Sequence, residues 1–227
     1  MYWQDDKDAA ESFQVPDDVV DIVFKISGAR LVVDHAQSLA HAICERLPES
    51  SHGRIGIHRI RVGASGNGWN SPNEAGEIMQ LSQRARLVMR IHKSVHRQVL
   101  RLCDTQLEIE GEHLKLGASS VRKLSSITTL FSHSIVCDEA QAESDFLDDM
   151  ASALEAMNVK VKKMICGTTH TIRSDQGSIF TRALMVAELT PEESVELQQR
   201  GIGPGRLIGC GLFLPHKGID PVFSAQE

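Results

Sequence analysis

The order of predicted strands and helices repeats along the chain, and this repetition limits the possible folds more than any other feature. β-branched segments typical of strands alternate with segments whose apolar residues recur every three or four positions, as in helices. In the first half the order is strand 19–26, helix 34–47, strand 54–63, strand 85–92, helix 94–103 and strand or hairpin 106–117. In the second half it is strand 128–137, helix 143–157, strand 159–167, strand 179–189, helix 190–200 and strand 207–215. Both halves therefore predict the order β-α-β-β-α-β.

This order is that of the ferredoxin-like split βαβ unit. We therefore predict an α+β protein with two tandem ferredoxin-like βαββαβ units, each with an antiparallel sheet. The 227 residues suffice for two such units. The expected organisation is a tail over 1–16, an N-terminal domain over 17–124 and a C-terminal domain over 125–227. The stretch 168–178 is expected to be a long hairpin tip.

The cysteines and the apolar segments indicate in which cellular compartment the protein is expected. Five cysteines lie far apart, and none forms a C-x-x-C pair, so a zinc cage or a disulfide framework has little support. No apolar run approaches the roughly 18 residues of a membrane helix, and no signal peptide opens the chain. We therefore expect a cytoplasmic protein without a membrane partner.

Charge is distributed unevenly along the chain. The net charge is −6, yet 84–103 holds six Arg or Lys and no acid, and 159–182 holds five and one acid. By contrast, 138–158 holds seven Asp or Glu and no base. Because binding follows the local field rather than the net charge, the basic stretches are compatible with nucleic acid. They are also compatible with solvated helix faces.

Five of the eleven residues over 201–211 are glycine, in the sequence GIGPGRLIGCG. A dinucleotide fingerprint would need a third glycine where Arg206 stands, and a Walker phosphate loop would end in Gly-Lys-Ser/Thr. A helix C-cap at Gly201 and a strand bulge explain two of the glycines, but not five. The segment therefore indicates a loop whose bare backbone approaches something closely.

Two segments carry a resemblance to a known family. The pattern G-h-G-x5-G-h-G over 201–211 resembles the signature of RAMP proteins, in particular the CRISPR-associated endoribonuclease that cuts precursor CRISPR RNA within its repeats. The segment LVVDHAQSLAHAICERLP over 31–48 resembles the first-helix region of the Myxan-type branch of that nuclease. The segments 53–63 and 207–219 are also similar to that branch.

The resemblance implies metal-independent cleavage without a cofactor. The 2′-hydroxyl 5′ of the scissile phosphate attacks it, which leaves a 2′,3′-cyclic phosphate and a 5′-hydroxyl. The implied partner is a stem-loop of CRISPR repeat RNA. Other CRISPR effector subunits remain open as partners, and DNA is not expected.

The chemistry needs a base, for which histidine is suited near neutral pH. His35 is the first candidate, because it would follow an N-cap at Asp34 and lie near a helix N-terminus. His41 is the second candidate, and His133 is expected to be a satisfied core histidine. Many family members pair the histidine with a tyrosine, whereas Tyr2 is the single tyrosine of this chain.

Phosphate contacts are expected from the predicted hairpin, the junction of the halves and the glycine segment. The candidates are Lys162, Lys163, His170, Arg173, Arg182, Arg206, Arg122, Lys123, Gly201, Gly203, Gly205, Gly209 and Gly211. The glycine segment is expected to lie against the first helix of the second half and to present N–H groups and Arg206 to RNA. The alternative is that it locks the two halves together.

Three other functions remain open at this point. A RAMP-type subunit that binds guide RNA without cutting it would have the same glycine loop. A two-histidine phosphoesterase would need two H-x-T/S tripeptides, but the hydroxyl stands one residue too early in 133–135 and 170–172. A ferredoxin-like small-molecule binder is the third alternative.

Overall fold

The first half of the chain forms a five-stranded antiparallel sheet. The computed structural model describes residues 13–61 and 77–216. The elements of this half are β1 (Val19–Ser27), β2 (Arg30–Val32), α1 (Ala36–Cys44), β3 (Ile55–Ile57), β4 (Ile78–Gln80), β5 (Arg86–His92), α2 (His96–Val99), β6 (Gln106–Ile109) and β7 (Glu112–Lys123). The strand order is β3-β5-β1-β7-β6, with antiparallel neighbours. β2 and β4 pair separately, which the sequence analysis did not predict.

The second half forms a four-stranded antiparallel sheet with the order β11-β8-β10-β9. Its elements are β8 (Leu130–Val136), α3 (Glu143–Glu155), β9 (Lys163–Ser174), β10 (Gly177–Ala187), α4 (Pro191–Arg200) and β11 (Leu214–Pro215). In both sheets the first strand of the repeated unit lies between the third and the fourth. This arrangement confirms the predicted α+β class with two tandem ferredoxin-like units.

Each unit has its own apolar core. In the first, Leu39 and Ile43 of α1 pack with Ile22 and Phe24 of β1, and all are at most 1% exposed. In the second, the core includes Phe146 and Leu154 of α3, Leu197 of α4 and Leu184 of β10. Burying a side chain of this size contributes about 1.5–3 kcal/mol, so the helices are held mainly by their apolar faces.

The two helices that meet the junction begin differently. At α4 the predicted capping box is present: Thr190 Oγ1 accepts from the Glu193 N–H at 3.2 Å, and the Glu193 carboxylate accepts from the Thr190 N–H at 2.8 Å. At α1 the expected N-cap at Asp34 is wrong, because His35 occupies that position and makes no side-chain cap. Asp34 Oδ2 instead accepts from the Arg173 N–H of β9 at 2.9 Å.

Four predicted elements differ in extent. The strand expected over 54–63 ends at Ile57 in the structure, and positions 62–63 of the expected strand lie outside the described range. The helix expected over 94–103 is a series of 3-10 turns around the single turn of α2. The tip expected over 168–178 is mostly strand, because β9 pairs with β10 as far as Ser174 and Gly177. The closing strand shrinks to β11, because the glycines before it have positive φ.

A buried arginine joins the two halves. Arg90 of β5 is 1% exposed and pairs with Asp21 of β1, at 2.9 Å between Nε and Oδ1. Its Nη1 also donates to the carbonyls of Gln198 and Phe213 in the second half, at 3.0 and 2.7 Å. The guanidinium is therefore neutralised in one unit and hydrogen-bonded to the other, which fixes their relative placement.

Candidate functional site

The glycine segment lies at the junction of the two units. Its 3-10 turn (Arg206–Ile208) contacts β3 and α1 of the first half. Cys210 is fully buried in a small apolar cluster with Ala36 of α1 and Ile172 of β9. The expectation that the segment lies against the first helix of the second half is therefore wrong. Its apolar residues find their partners at the start of α1.

The backbone of this segment explains its composition. All five glycines have positive φ, between 66° and 85°. A Cβ at Gly209 would lie 2.9 Å from Arg59 Cγ and 3.1 Å from the Ile57 carbonyl oxygen. A Cβ at Gly211 would overlap the Ile202 carbonyl. At Gly209 and Gly211 the bare backbone is thus required by close approach within the protein.

Most donors of the glycine segment are already used. The N–H groups of Ile202, Ile208, Gly209 and Cys210 bond within the segment, and that of Gly211 donates to the Ser134 carbonyl of β8 at 2.7 Å. This geometry supports the alternative interpretation, in which the segment locks the halves together. These five N–H groups are therefore not free to donate to RNA.

Arg206 is likewise occupied. Its Nη1 donates to the Arg200 carbonyl and its Nη2 to the Gln199 carbonyl at 3.1 Å, at the end of α4. Desolvation and the charge of Arg90 lower its pKa. The side chain therefore caps the last turn of the helix, which differs from the expected phosphate contact.

His35 is a buried positioning group in this structure. The ring is 1% exposed. Its Nδ1 lies 2.9 Å from the Val32 carbonyl and 3.1 Å from that of Val33, and its Nε2 accepts from the Ile60 N–H at 3.1 Å. Burial lowers its pKa to about 4. Both ring nitrogens are therefore engaged, and the ring is enclosed rather than open to the surface.

His41 lies on the outer face of α1. Its side chain is 69% exposed, and its Nε2 is 3.0 Å from Glu45 Oε1, one turn away. An exposed i,i+4 pair of this kind contributes little to stability. The residue is accessible, as a base must be, but its partner is a carboxylate rather than a phosphate-binding cation.

A cluster of cations and imidazoles lies beside the start of α1. We call it the junction cluster; its members are Arg59, Arg61, His133, His170 and His216. They come from the segment after β3, from β8 and β9, and from the residue after β11. Their charges act on one another: desolvation, then Arg61 and Arg59, lower the pKa of His133 to about 3.

The part of the chain that the structure describes offers Arg59 and Arg61 no carboxylate partner. Arg59 donates to the Val33 carbonyl at 3.4 Å. Across 13–61 and 77–216, neither Arg59 nor Arg61 forms a salt bridge. In a chain of net charge −6, two neighbouring guanidinium groups without a salt bridge to any described acid indicate a site for an anion. The sequence analysis did not select these two arginines, although HRIR over 58–61 was visible.

The imidazoles of the junction cluster differ in accessibility. His133 is half-buried with its ring edge-on to Phe131, at 4.5 Å between centroids, and no hydrogen bond to another described residue was found for it. It is therefore not the satisfied core histidine that was expected. His170 is exposed in the middle of β9 rather than in a tip, and its Nε2 lies 3.0 Å from Thr168 Oγ1.

Of four other predicted phosphate contacts, two are exposed without a salt bridge to a described residue, and two are engaged by other groups of the protein. Lys162 and Arg173 are exposed and belong to no salt bridge among the described residues. Lys163 pairs with Glu188 at 2.6 Å, at the base of the hairpin. Arg182 lies 5.6 Å from the Phe146 ring centroid and donates to the Gln141 carbonyl at 3.1 Å. Its guanidinium is therefore committed to α3 packing.

At the end of β7, Arg122 Nη2 pairs with Asp21 Oδ2 at 3.0 Å, and Lys123 is exposed. A cavity of about 480 Å³ also opens between the two units, and its lining includes Arg54, Arg200 and Arg206. There Arg200 pairs with Glu196 at 3.2 Å, so part of that charge is neutralised.

In 13–61 and 77–216, no group of three or more His, Cys, Asp or Glu is placed to hold a metal ion. Within the same ranges, every helix is too short or too polar to cross a bilayer. All five cysteines are free thiols.

Known proteins match over most of the chain. A family model described as "Cas6 Crispr" matches residues 20–218. The "CRISPR-associated endonuclease Cas6" of Myxococcus xanthus (strain DK1622) is 31% identical over 198 residues, which are 86% of this chain and 81% of that protein.

Two solved structures share the fold. "CRISPR associated protein Cas6" has a TM-score of 0.60 at 10% identity, and the match covers 88% of this chain and all of the other. The product of a Cas6-related gene from Pyrococcus furiosus has a TM-score of 0.59 at 15% identity, with 86% and 98% covered.

Proposed function

The chain belongs to the Cas6 family, and from that premise we propose that it is an endoribonuclease that binds CRISPR repeat RNA and cuts precursor CRISPR RNA into guide units. The single observation that carries this proposal is the junction cluster. In it, two arginines that form no salt bridge within 13–61 and 77–216 act by their charges on the exposed imidazole of His170. Such a set binds a phosphodiester and accepts a proton beside it.

The proposed reaction is internal attack by the ribose 2′-hydroxyl on the adjacent phosphate. The arginines would stabilise the negative charge that grows on the phosphate oxygens in the transition state. The products would be a 2′,3′-cyclic phosphate and a 5′-hydroxyl. Because the nucleophile belongs to the RNA, the protein supplies positioning, charge and proton transfer.

The roles of the histidines follow from their surroundings. For His35 to act as a base, its ring would have to leave three hydrogen bonds and an enclosed position. We therefore assign it a positioning role, in which it ties the start of α1 to the Ile60 N–H between Arg59 and Arg61. His41 remains a candidate for the base, and its exposure supports that role.

The partner and the compartment are part of the same proposal. RNA helices are recognised mainly through phosphates and 2′-hydroxyls, which suits scattered exposed cations such as Arg173 and Lys162. The free thiols support a reducing cytoplasm. Family membership favours a nuclease over the two-histidine phosphoesterase and the small-molecule binder.

The test is to incubate the purified chain with repeat RNA taken from the CRISPR array of its own genome, labelled at the 5′ end. We expect one cut, a 2′,3′-cyclic phosphate on the upstream product, and the same rate in excess EDTA. A matched RNA with a single 2′-deoxy sugar just 5′ of the cut should bind equally and stay intact. Binding without cutting of the all-ribose RNA would support the non-catalytic guide-binding subunit instead. Loss of cutting in EDTA would contradict the metal-independent mechanism.

A further inference from the structure

The second half of β7 has an open edge. β6 pairs with β7 only over 112–115, and the Thr105 carbonyl accepts from the Leu116 N–H just beyond that stretch. From 118 to 123, β7 pairs with β1 on its other side. Within the part of the chain that the structure describes, no other backbone group bonds to these six residues. An uncovered strand edge of this kind is a template for pairing with another chain.

The pleat of β7 decides which of its peptide groups face the open edge. In a strand, the face on which a side chain lies also fixes the edge that the N–H and C=O of that residue address. Leu116 has its side chain in the core and its N–H towards β6. After a register shift, Ser119 pairs with Phe24 and Val121 with Ile22, and both partners lie in the same core. Residues 119, 121 and 123 therefore direct their N–H and C=O groups to the open edge.

We propose that this edge pairs with the same edge of a second copy of the chain, antiparallel about a two-fold axis at Val121. The inference goes beyond the proposed function, and its test needs no RNA. In this register Val121 lies opposite Val121 of the second copy, and Ser119 lies opposite Lys123. Because the three edge-facing residues are evenly spaced about Val121, the pairing satisfies all of them, with about six hydrogen bonds. A slip by one residue would bring opposite faces of the two sheets together.

Exposed apolar side chains accompany the open edge. Val121 is 55% exposed and Leu100 is 37% exposed. The 3-10 turn that contains Leu100 ends beside β7, because Cys103 Sγ lies 3.4 Å from Ser119 Oγ. On the proposed axis the two Val121 side chains contact each other, so apolar surface of both copies leaves water.

The charges at the edge are compatible with a second copy. Arg122 projects from the other face of the sheet and is already paired with Asp21 at 3.0 Å. Lys123 and the exposed Asp104 form no salt bridge within 13–61 and 77–216. In the proposed register Lys123 lies opposite Ser119 of the second copy, which contacts Cys103, and Asp104 follows Cys103 directly. Each Lys123 therefore comes near a carboxylate of the other copy.

The short length of the edge sets the expected affinity. Standard protein interfaces use roughly 20–30 residues on each side, whereas this pairing uses about five. We therefore expect a weak dimer, with a dissociation constant of about 1–100 µM.

Sedimentation equilibrium of the full chain, from about 1 to 300 µM, tests the proposal. The wild type should show a monomer–dimer equilibrium. Val121→Pro removes an N–H that faces the open edge and leaves the β1 ladder intact, and Val121→Lys sets two like charges opposite each other on the axis. Both variants should stay monomeric, with a melting temperature near that of the wild type. Ile78→Lys, at an apolar residue of β4 that is 44% exposed, is the matched control and should dimerise like the wild type.

A wild type that stays monomeric across this range would overturn the proposal, because the edge would then be open or covered by another occupant. A dimer that survives both changes at Val121 would overturn it too. If Val121→Pro unfolds the protein, Val121→Lys decides. A short thiol cross-linker checks the register: it should join two copies of Val121→Cys but not two copies of Ile78→Cys. Equal cross-linking of these two variants would contradict an axis at Val121.

Discussion

The buried His35 ring predicts a specific loss of stability in acid. In the unfolded chain the imidazole takes up a proton as the pH falls through 6.5, whereas the folded protein does so only near a pKa of about 4. Its contribution to stability is therefore complete above pH 6.5 and is lost progressively as the pH falls towards 4. Between pH 7 and pH 5 the loss from this one residue is about 2 kcal/mol.

The perturbation that isolates this loss is His35→Gln. A glutamine carbonyl oxygen can still accept from the Ile60 N–H, but the amide does not titrate. The variant should be less stable at pH 7 by about 1–2 kcal/mol, because the donor shared by the Val32 and Val33 carbonyls is lost or misplaced. Between pH 7 and pH 5, however, it should lose about 2 kcal/mol less than the wild type.

The assay is urea unfolding followed by circular dichroism at both pH values, for both proteins. Other buried histidines, such as His58, titrate in both and cancel in the comparison. If the wild type and His35→Gln lose the same free energy of unfolding between pH 7 and pH 5, the ring does not titrate as a buried group. The positioning role assigned to it would then be refuted.

Three other predictions follow from the junction. Gly209→Ala should lower the free energy of unfolding more than Gly203→Ala. Both glycines have positive φ, which costs any other residue about 1–2 kcal/mol, but Gly203 faces open space whereas Gly209 contacts Arg59 and Ile57. Equal losses in urea unfolding would contradict the close approach. Arg90→Ala should cost up to about 3–5 kcal/mol, because the buried Asp21 loses Arg90 and keeps only the pair with Arg122. Asp21→Ala combined with Arg90→Ala should cost less than the sum of the single changes; simple additivity would refute the coupling. RNA affinity should fall with salt at a log–log slope of about −3 to −4, because the exposed Arg61, Arg173 and Lys162 and the half-buried Arg59 are available for phosphates; a flat response in filter binding would contradict phosphate contact.

The sequence was informative where the local pattern and the tertiary fold agree. The repeated order of elements predicted both sheets, and the capping box at Thr190 and Glu193 lies where the pattern places it. Local chemistry alone decides such features, because a cap is satisfied by neighbours in the chain. The extents of β3 and β11 were missed because pairing with distant strands, rather than β propensity, sets where a strand ends.

The candidate site was harder to predict because its residues meet only in the folded chain. Asp34 was expected to cap α1, yet its carboxylate serves the Arg173 N–H, which is distant in sequence. Arg206 was expected to bind RNA, yet the free carbonyls at the end of α4 engage it first. Arg90 stands in a basic stretch that predicts a surface, but it is buried against Asp21. In each case a polar group is satisfied by a partner that no local pattern identifies.

The segments that carry the family resemblance share one structural task. The Asp34 carboxylate accepts from the Arg173 N–H of β9, and the His35 ring accepts from the Ile60 N–H. Gly209 of the glycine segment packs against Arg59. Each contact places the segment 58–61 relative to the exposed face of β9. A loss of cleavage on changing His35 would therefore not identify it as the base, since displacing Arg59 and Arg61 would give the same result. Thermal melting separates the two roles: if His35 is a positioning residue, His35→Ala should lower the melting temperature and the cleavage rate together. Equal melting temperatures for wild type and His35→Ala, with cleavage abolished, would return the catalytic role to His35.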